Sequence, residues 1–151
     1  MLMKSLLAFV LTVGLVSSAM AAGSSSSSSK PSELADAQKA IEASDYKRAI
    51  GLLQKVVSND SQNADAWNLL GFSQRNLKNF DQALDSYAKA LAIDPEHLGA
   101  NEYLGELYLR IDKLEKAKQR LKVLDDACIF GCDEYDDLKQ AIEAYEASNQ
   151  G

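Results

Sequence analysis

Apolar residues recur every three or four positions between residues 34 and 145, in blocks broken by short polar runs. That is the pattern of helices that each bury one face. It is clearest over residues 64–97. There Trp67, Leu70, Gly71 and Gln74 fall at i, i+3, i+4 and i+7. After a polar break at Lys78 and Asn79, the helical spacing resumes through Phe80, Ala83, Leu84, Tyr87, Ala90 and Leu91. Asp94 and Pro95 end the second block, because proline disfavours helical backbone at the residue before it. The stretch predicts a helical hairpin, with Gly71, Ala83 and Ala90 where the two backbones must approach closely.

Shifted by 34 residues, the pattern falls on itself. Ala83 lands on Ala49 and Ala117, Tyr87 on Leu53 and Leu121, and Phe80 on Tyr46 and Leu114. Leu70 and Gly71 land on Leu104 and Gly105. A period of this length in a helical chain marks a solenoid. It predicts hairpins over about residues 32–63, 64–97 and 98–131. Residues 133–148 keep the frame, with a stripe at Tyr135, Leu138, Ile142 and Tyr145 and a polar opposite face. They predict one more helix that caps the stack.

Trp67, Leu70-Gly71, Ala83, Tyr87, Ala90 and Pro95, with Gln74 in the Tyr place, resemble the tetratricopeptide repeat (TPR) family. The likeness weakens in the flanking units, where Glu33, Asp36 and Ala37 stand in the Trp, Leu and Gly places of the first and Asn101 replaces Trp in the third. Polar changes on an end repeat are expected, since nothing stacks on its outer face. The resemblance implies an all-α, right-handed α-solenoid of three hairpins and a C-terminal capping helix. It also implies a concave groove lined by the first helix of each hairpin. Family groove positions fall on Leu34, Gln38, Ile41 and Glu42, then Asn68, Phe72, Arg75 and Asn76, then Glu102, Tyr103, Glu106 and Arg110. The family's clamp for C-terminal carboxylates is missing, with Phe72 and Glu106 standing where it needs other residues. The ending CIFGCDEYDDLKQAI is similar to a tail of small exported bacterial TPR proteins.

Composition narrows the function classes. The 151 residues suit one domain, and 16 basic against 22 acidic residues give a net charge of -6. That argues against nucleic acid, whose binders cluster Lys and Arg. Residues 1–22 hold Lys4, an apolar run over 6–16 and the small triplet Ala19-Met20-Ala21. This is the layout of a signal peptide cut after Ala21 or Ala22, and it points to the periplasm or secretion. No membrane span is expected after cleavage. Residues 23–31, with six consecutive serines, are expected to be a disordered Gly/Ser linker.

Cys128 and Cys132 bracket Gly131 at the turn into the last helix. An exported chain with two cysteines favours a structural disulfide. Two alternatives stay open: a buried pair of thiols, or a redox or soft-metal pair, although the spacing is C-x3-C rather than C-x2-C. His97, the only histidine, lies in an inter-repeat turn without catalytic partners. Ser73 lies mid-helix, and no phosphate-cradling loop or zinc motif occurs. No enzyme activity, cofactor or metal is expected. The sequence favours an exported module that binds a peptide segment of an envelope protein, as adaptor or assembly factor. Thiol redox or metal handling by the cysteine pair is the alternative, and self-association a third possibility.

Overall fold

A computed structural model describes residues 33–149. The expected signal peptide and Gly/Ser linker fall outside the described residues. Those residues form seven helices and no strand: α1 (Glu33–Glu42), α2 (Tyr46–Asn59), α3 (Ala64–Asn76), α4 (Phe80–Ile93), α5 (Leu98–Arg110), α6 (Leu114–Ala127) and α7 (Asp133–Ser148). The pairs α1–α2, α3–α4 and α5–α6 are hairpins, and α7 packs on both α5 and α6. Among the described residues no helix is long and apolar enough to cross a membrane.

The turns repeat with the same 34-residue frame as the apolar pattern. Ser44, Lys78 and Asp112 have left-handed backbone, with φ of 57°, 63° and 57°. The next residue's N–H then bonds to the carbonyl five residues back: Asp45 to Ala40 at 2.8 Å, Asn79 to Gln74 at 2.9 Å, and Lys113 to Tyr108 at 2.8 Å. This closure satisfies carbonyls that the helix end leaves free.

Between units a different lock recurs. The side chains of Asp60 and Asp94 accept from the N–H two residues on, at 3.1 Å each. Asn63 and His97 then cap α3 and α5 by accepting from Ala66 (2.9 Å) and Ala100 (3.2 Å). In the third such turn Cys128 stands in the Asp place, and its sulfur lies at bonding distance from that of Cys132, with Cα atoms 5.7 Å apart.

Ala49, Ala83 and Ala117, equivalent in the three hairpins, are fully buried. Tyr87 is fully buried too, and its ring lies where a Cβ on Gly71 would stand, 2.7 Å from Cε1. Gly105 does the same for Leu138 of α7, whose Cδ2 would be 2.5 Å away. A side chain at either glycine would push the helices apart. Asn101, in the Trp place of the third unit, is fully buried and fully bonded. Its amide donates to the carbonyls of Pro95 (3.0 Å) and His97 (3.1 Å), and its oxygen accepts from Arg120 (3.2 Å). A polar group is therefore held in the core at little cost.

The backbone of each odd-numbered helix runs close to that of the next odd-numbered one, whereas no two even-numbered helices approach so closely. The odd layer is the tighter of the two, so the stack curves toward it. α1, α3, α5 and α7 therefore line the concave side.

Candidate functional site

The concave side is built from positions that recur once per hairpin on the inner helices. Gln38 on α1 and Arg110 at the end of α5 are exposed, and Asn76 at the end of α3 is half-buried. Phe72 and Tyr103, also half-buried, lie on adjacent inner helices with ring centroids 4.9 Å apart, and Tyr46 makes an edge contact with Phe72 at 6.1 Å. An aromatic strip thus crosses from the first hairpin to the third. Aromatic faces of this kind bind apolar and cationic groups with little side-chain ordering.

Other groove positions lie deeper than a solvated helix face. Arg75 is 4% exposed, with its guanidinium carbon 5.3 Å from the Phe72 ring centroid and 5.1 Å from that of Tyr103. Its Nη1 donates to the Glu106 carboxylate and, at 3.4 Å, to the Tyr103 carbonyl. Arg75 therefore spends its charge inside the molecule, where it joins α3 to α5. The reason is geometric: the inner helices pack closely enough for one repeat's last turn to reach the next repeat's middle.

Asn68 and Glu102 occupy the same place one repeat apart, and both are buried. The Asn68 amide lies against Gly99 of α5, while its oxygen has no donor among the described residues. Burial first, then the like charges of Glu106, Asp137 and Glu134, push the Glu102 carboxyl up to about 8 against the pull of Arg75. The Tyr103 hydroxyl is also raised, by burial and then by Glu102.

Near the C-terminal end of the groove, Glu106, Leu109, Arg110, Ala141 and Tyr145 line a shallow cavity of about 360 Å³ between α5 and α7. The Tyr145 hydroxyl donates to Asp112 at 3.1 Å, which ties α7 to the turn after α5.

Outside the groove, the Ser73 hydroxyl donates to the Leu69 carbonyl at 2.9 Å, as a mid-helix serine does. His97 uses both ring nitrogens structurally: Nδ1 caps α5, and Nε2 lies 3.0 Å from the Asp65 carboxylate. Among the described residues no group of three or more His, Cys, Asp or Glu side chains is arranged to hold a metal ion. The Cys128–Cys132 turn adds one feature that the sequence reading did not single out. Ile129 and Phe130 project at its tip, 82% and 101% exposed. The loop is too short to fold an apolar pair back on itself, which is the signal that the CIFGC run carried.

Residues 64–97 match the family model for the tetratricopeptide repeat. Among curated relatives, tetratricopeptide repeat protein 37 of Xenopus laevis is 34% identical over 80 residues, 53% of this chain. The aligned stretch spans only 5% of that relative's length. Among solved structures, the first TPR of Spaghetti (RPAP3) bound to the HSP90 peptide SRMEEVD superposes with a TM-score of 0.67 at 19% identity, over 76% of this chain and 90% of that one. The Yersinia enterocolitica type III secretion chaperone SycD, in complex with a peptide of the translocator YopD, gives 0.67 at 17% identity over 78% and 92%. These structures share the fold. Residues 64–97 thus carry a tetratricopeptide repeat, and the same hairpin is laid down on either side of it in a 34-residue frame.

Proposed function

We propose that the protein is a non-enzymatic interaction module whose concave face holds an extended or helical segment of a partner protein. The observation that carries this reading is the aromatic strip Tyr46–Phe72–Tyr103, which runs from the start of α2 across the inner helices α3 and α5 with exposed or half-buried polar residues beside it. The helices are fixed by their own hairpins, so a ligand meets a preformed surface and little ordering is lost on binding. Two solved structures of the same fold hold peptides, one from HSP90 and one from YopD, which supports a peptide as ligand class.

The signal-peptide pattern of residues 1–22 supports export to the periplasm or beyond, and hence an envelope partner for an adaptor or assembly factor. An oxidising compartment also suits Cys128 and Cys132 as a structural bond that closes the turn before α7.

The test is capture of the partner by affinity-tagged protein, comparing the parent with a Phe72→Ala/Tyr103→Ala variant whose helicity and melting are checked in parallel. Loss of a captured protein from a still-folded variant supports the groove. Undiminished capture by the variant contradicts it.

A further inference from the structure

We infer that the seam between α5 and α7 is a subsite for a cationic side chain, Lys or Arg, of the segment that lies in the groove. The inference rests on the peptide-binding reading above and adds the chemistry that segment carries at one point.

Two pairs of acids meet at this seam. Glu102 and Glu106 stand one turn apart on α5, and Glu134 and Asp137 lie at i and i+3 on α7. Leu138, next to Asp137, is the residue that packs on Gly105, so the two pairs are brought to the same stretch of the helix–helix contact. Glu106, Asp137 and Glu134 all act on Glu102 as like charges. Arg75 from α3 opposes them, but its guanidinium is already bound by Glu106. None of the charges that act most on Glu102 comes from α4 or α6, and Arg120 of α6 is turned to Asn101 instead.

A second observation points to a missing ligand. Glu102 is only 7% exposed, and its carboxyl, whose oxygens keep some access to solvent, makes no hydrogen bond among the described residues. One repeat earlier, the Asn68 oxygen is buried without a donor, and its amide lies against the first turn of the helix that carries Glu102. Buried polar groups are normally satisfied, and an unpaired buried carboxylate is costly. A donor that arrives with a positive charge satisfies the carboxylate and relieves the repulsion at once.

The acids are not gathered as they would be around a metal ion. They are spread along a seam, which suits a long side chain with a charged end. Leu109, Ala141 and Tyr145, which line the cavity beside Glu106 between the same two helices, offer its methylene stem an apolar wall. The same seam repels a carboxylate, so it discriminates against acidic segments as well as attracting basic ones.

The test uses the purified protein and an array of end-blocked peptides in matched sets that differ only at one central residue: Lys, norleucine or Glu. Binding is measured by fluorescence anisotropy above pH 8 and near pH 6. Among sets that bind, the Lys member is expected to be about tenfold or more tighter than its Glu counterpart at the higher pH. That margin should narrow at the lower pH, where Glu102 holds its proton, and Glu102→Gln should reduce this dependence on pH. Equal or tighter binding of the Glu members overturns the cationic subsite and leaves the groove standing. Failure of every set to bind removes the groove reading and the subsite with it.

Discussion

Arg75 and Glu106 lie 31 residues apart in sequence and form an ion pair that joins the second hairpin to the third. The pair is asymmetric: the arginine side chain is 5% exposed, the glutamate 28%. Removing the cation leaves Glu106 beside Glu102 with no counter-charge. Arg75→Ala is therefore expected to cost about 2 kcal/mol, below the usual figure for a fully buried pair because Glu106 keeps partial access to water. Adding Glu106→Gln should recover part of that loss. Urea unfolding of the single and double variants checks both, and a loss under about 0.5 kcal/mol for Arg75→Ala would show that the pair is not a structural tie.

Glu102 makes stability depend on pH in a defined direction. Its folded carboxyl titrates near 8, well above the ordinary value of 4.5, so the folded state holds a proton that the unfolded chain has lost. Between those values the unfolded state binds fewer protons, and stability falls as pH rises. Glu102→Gln removes the penalty. The variant should match the parent near pH 4.5 and exceed it by on the order of 1–2 kcal/mol above pH 8. Thermal melts across that window decide the matter; parallel curves for the two proteins would contradict it.

The cap helix is seated by the absence of one side chain. A Cβ at Gly105 would stand 2.5 Å from Cδ2 of Leu138, which is fully buried. Gly105→Ala should destabilise by about 1–3 kcal/mol through overpacking, despite alanine's better helix propensity. Hydrogen exchange localises the effect: protection should fall first in α7. A stabilised variant would mean that α7 is not held against α5.

Closing the short turn between Cys128 and Cys132 contributes roughly 2 kcal/mol in the chain-entropy model. Replacing both by serine should lower the melting temperature and loosen α7. Substituting Ile129 and Phe130 by serine should leave stability within about 0.5 kcal/mol, because their side chains point into solvent. Calorimetry of the two double variants separates the roles. Equal melting temperatures for the parent and the cysteine-free protein would remove the bond from the account.

Much of the fold was legible in the sequence because close helix packing demands small or large side chains at fixed places. Ala49, Ala83 and Ala117 show this plainly: three alanines at one interval, all fully buried. Proline and the polar breaks marked the turns, though Ser44, Lys78 and Asp112 gave no sign of their left-handed backbone, since none is glycine. The site was legible in outline only. The family resemblance placed Asn68, Arg75 and Glu102 on the inner helices but not at their depth, which is set by how closely one hairpin packs on the next. Pairing across repeats, such as Arg75 with Glu106, depends on the superhelical offset between hairpins, and no local spacing encodes that.

The central claim is that the inner helices form a binding surface. A photo-crosslinking amino acid placed at Gln38, Asn76 or Arg110 on the concave side, and at Lys55, Lys89 or Gln119 on the outer helices, tests it most directly in cells that make the protein. Crosslinks from the three inner positions to one continuous segment of a single partner are the expected result. Crosslinks confined to the outer positions would contradict it.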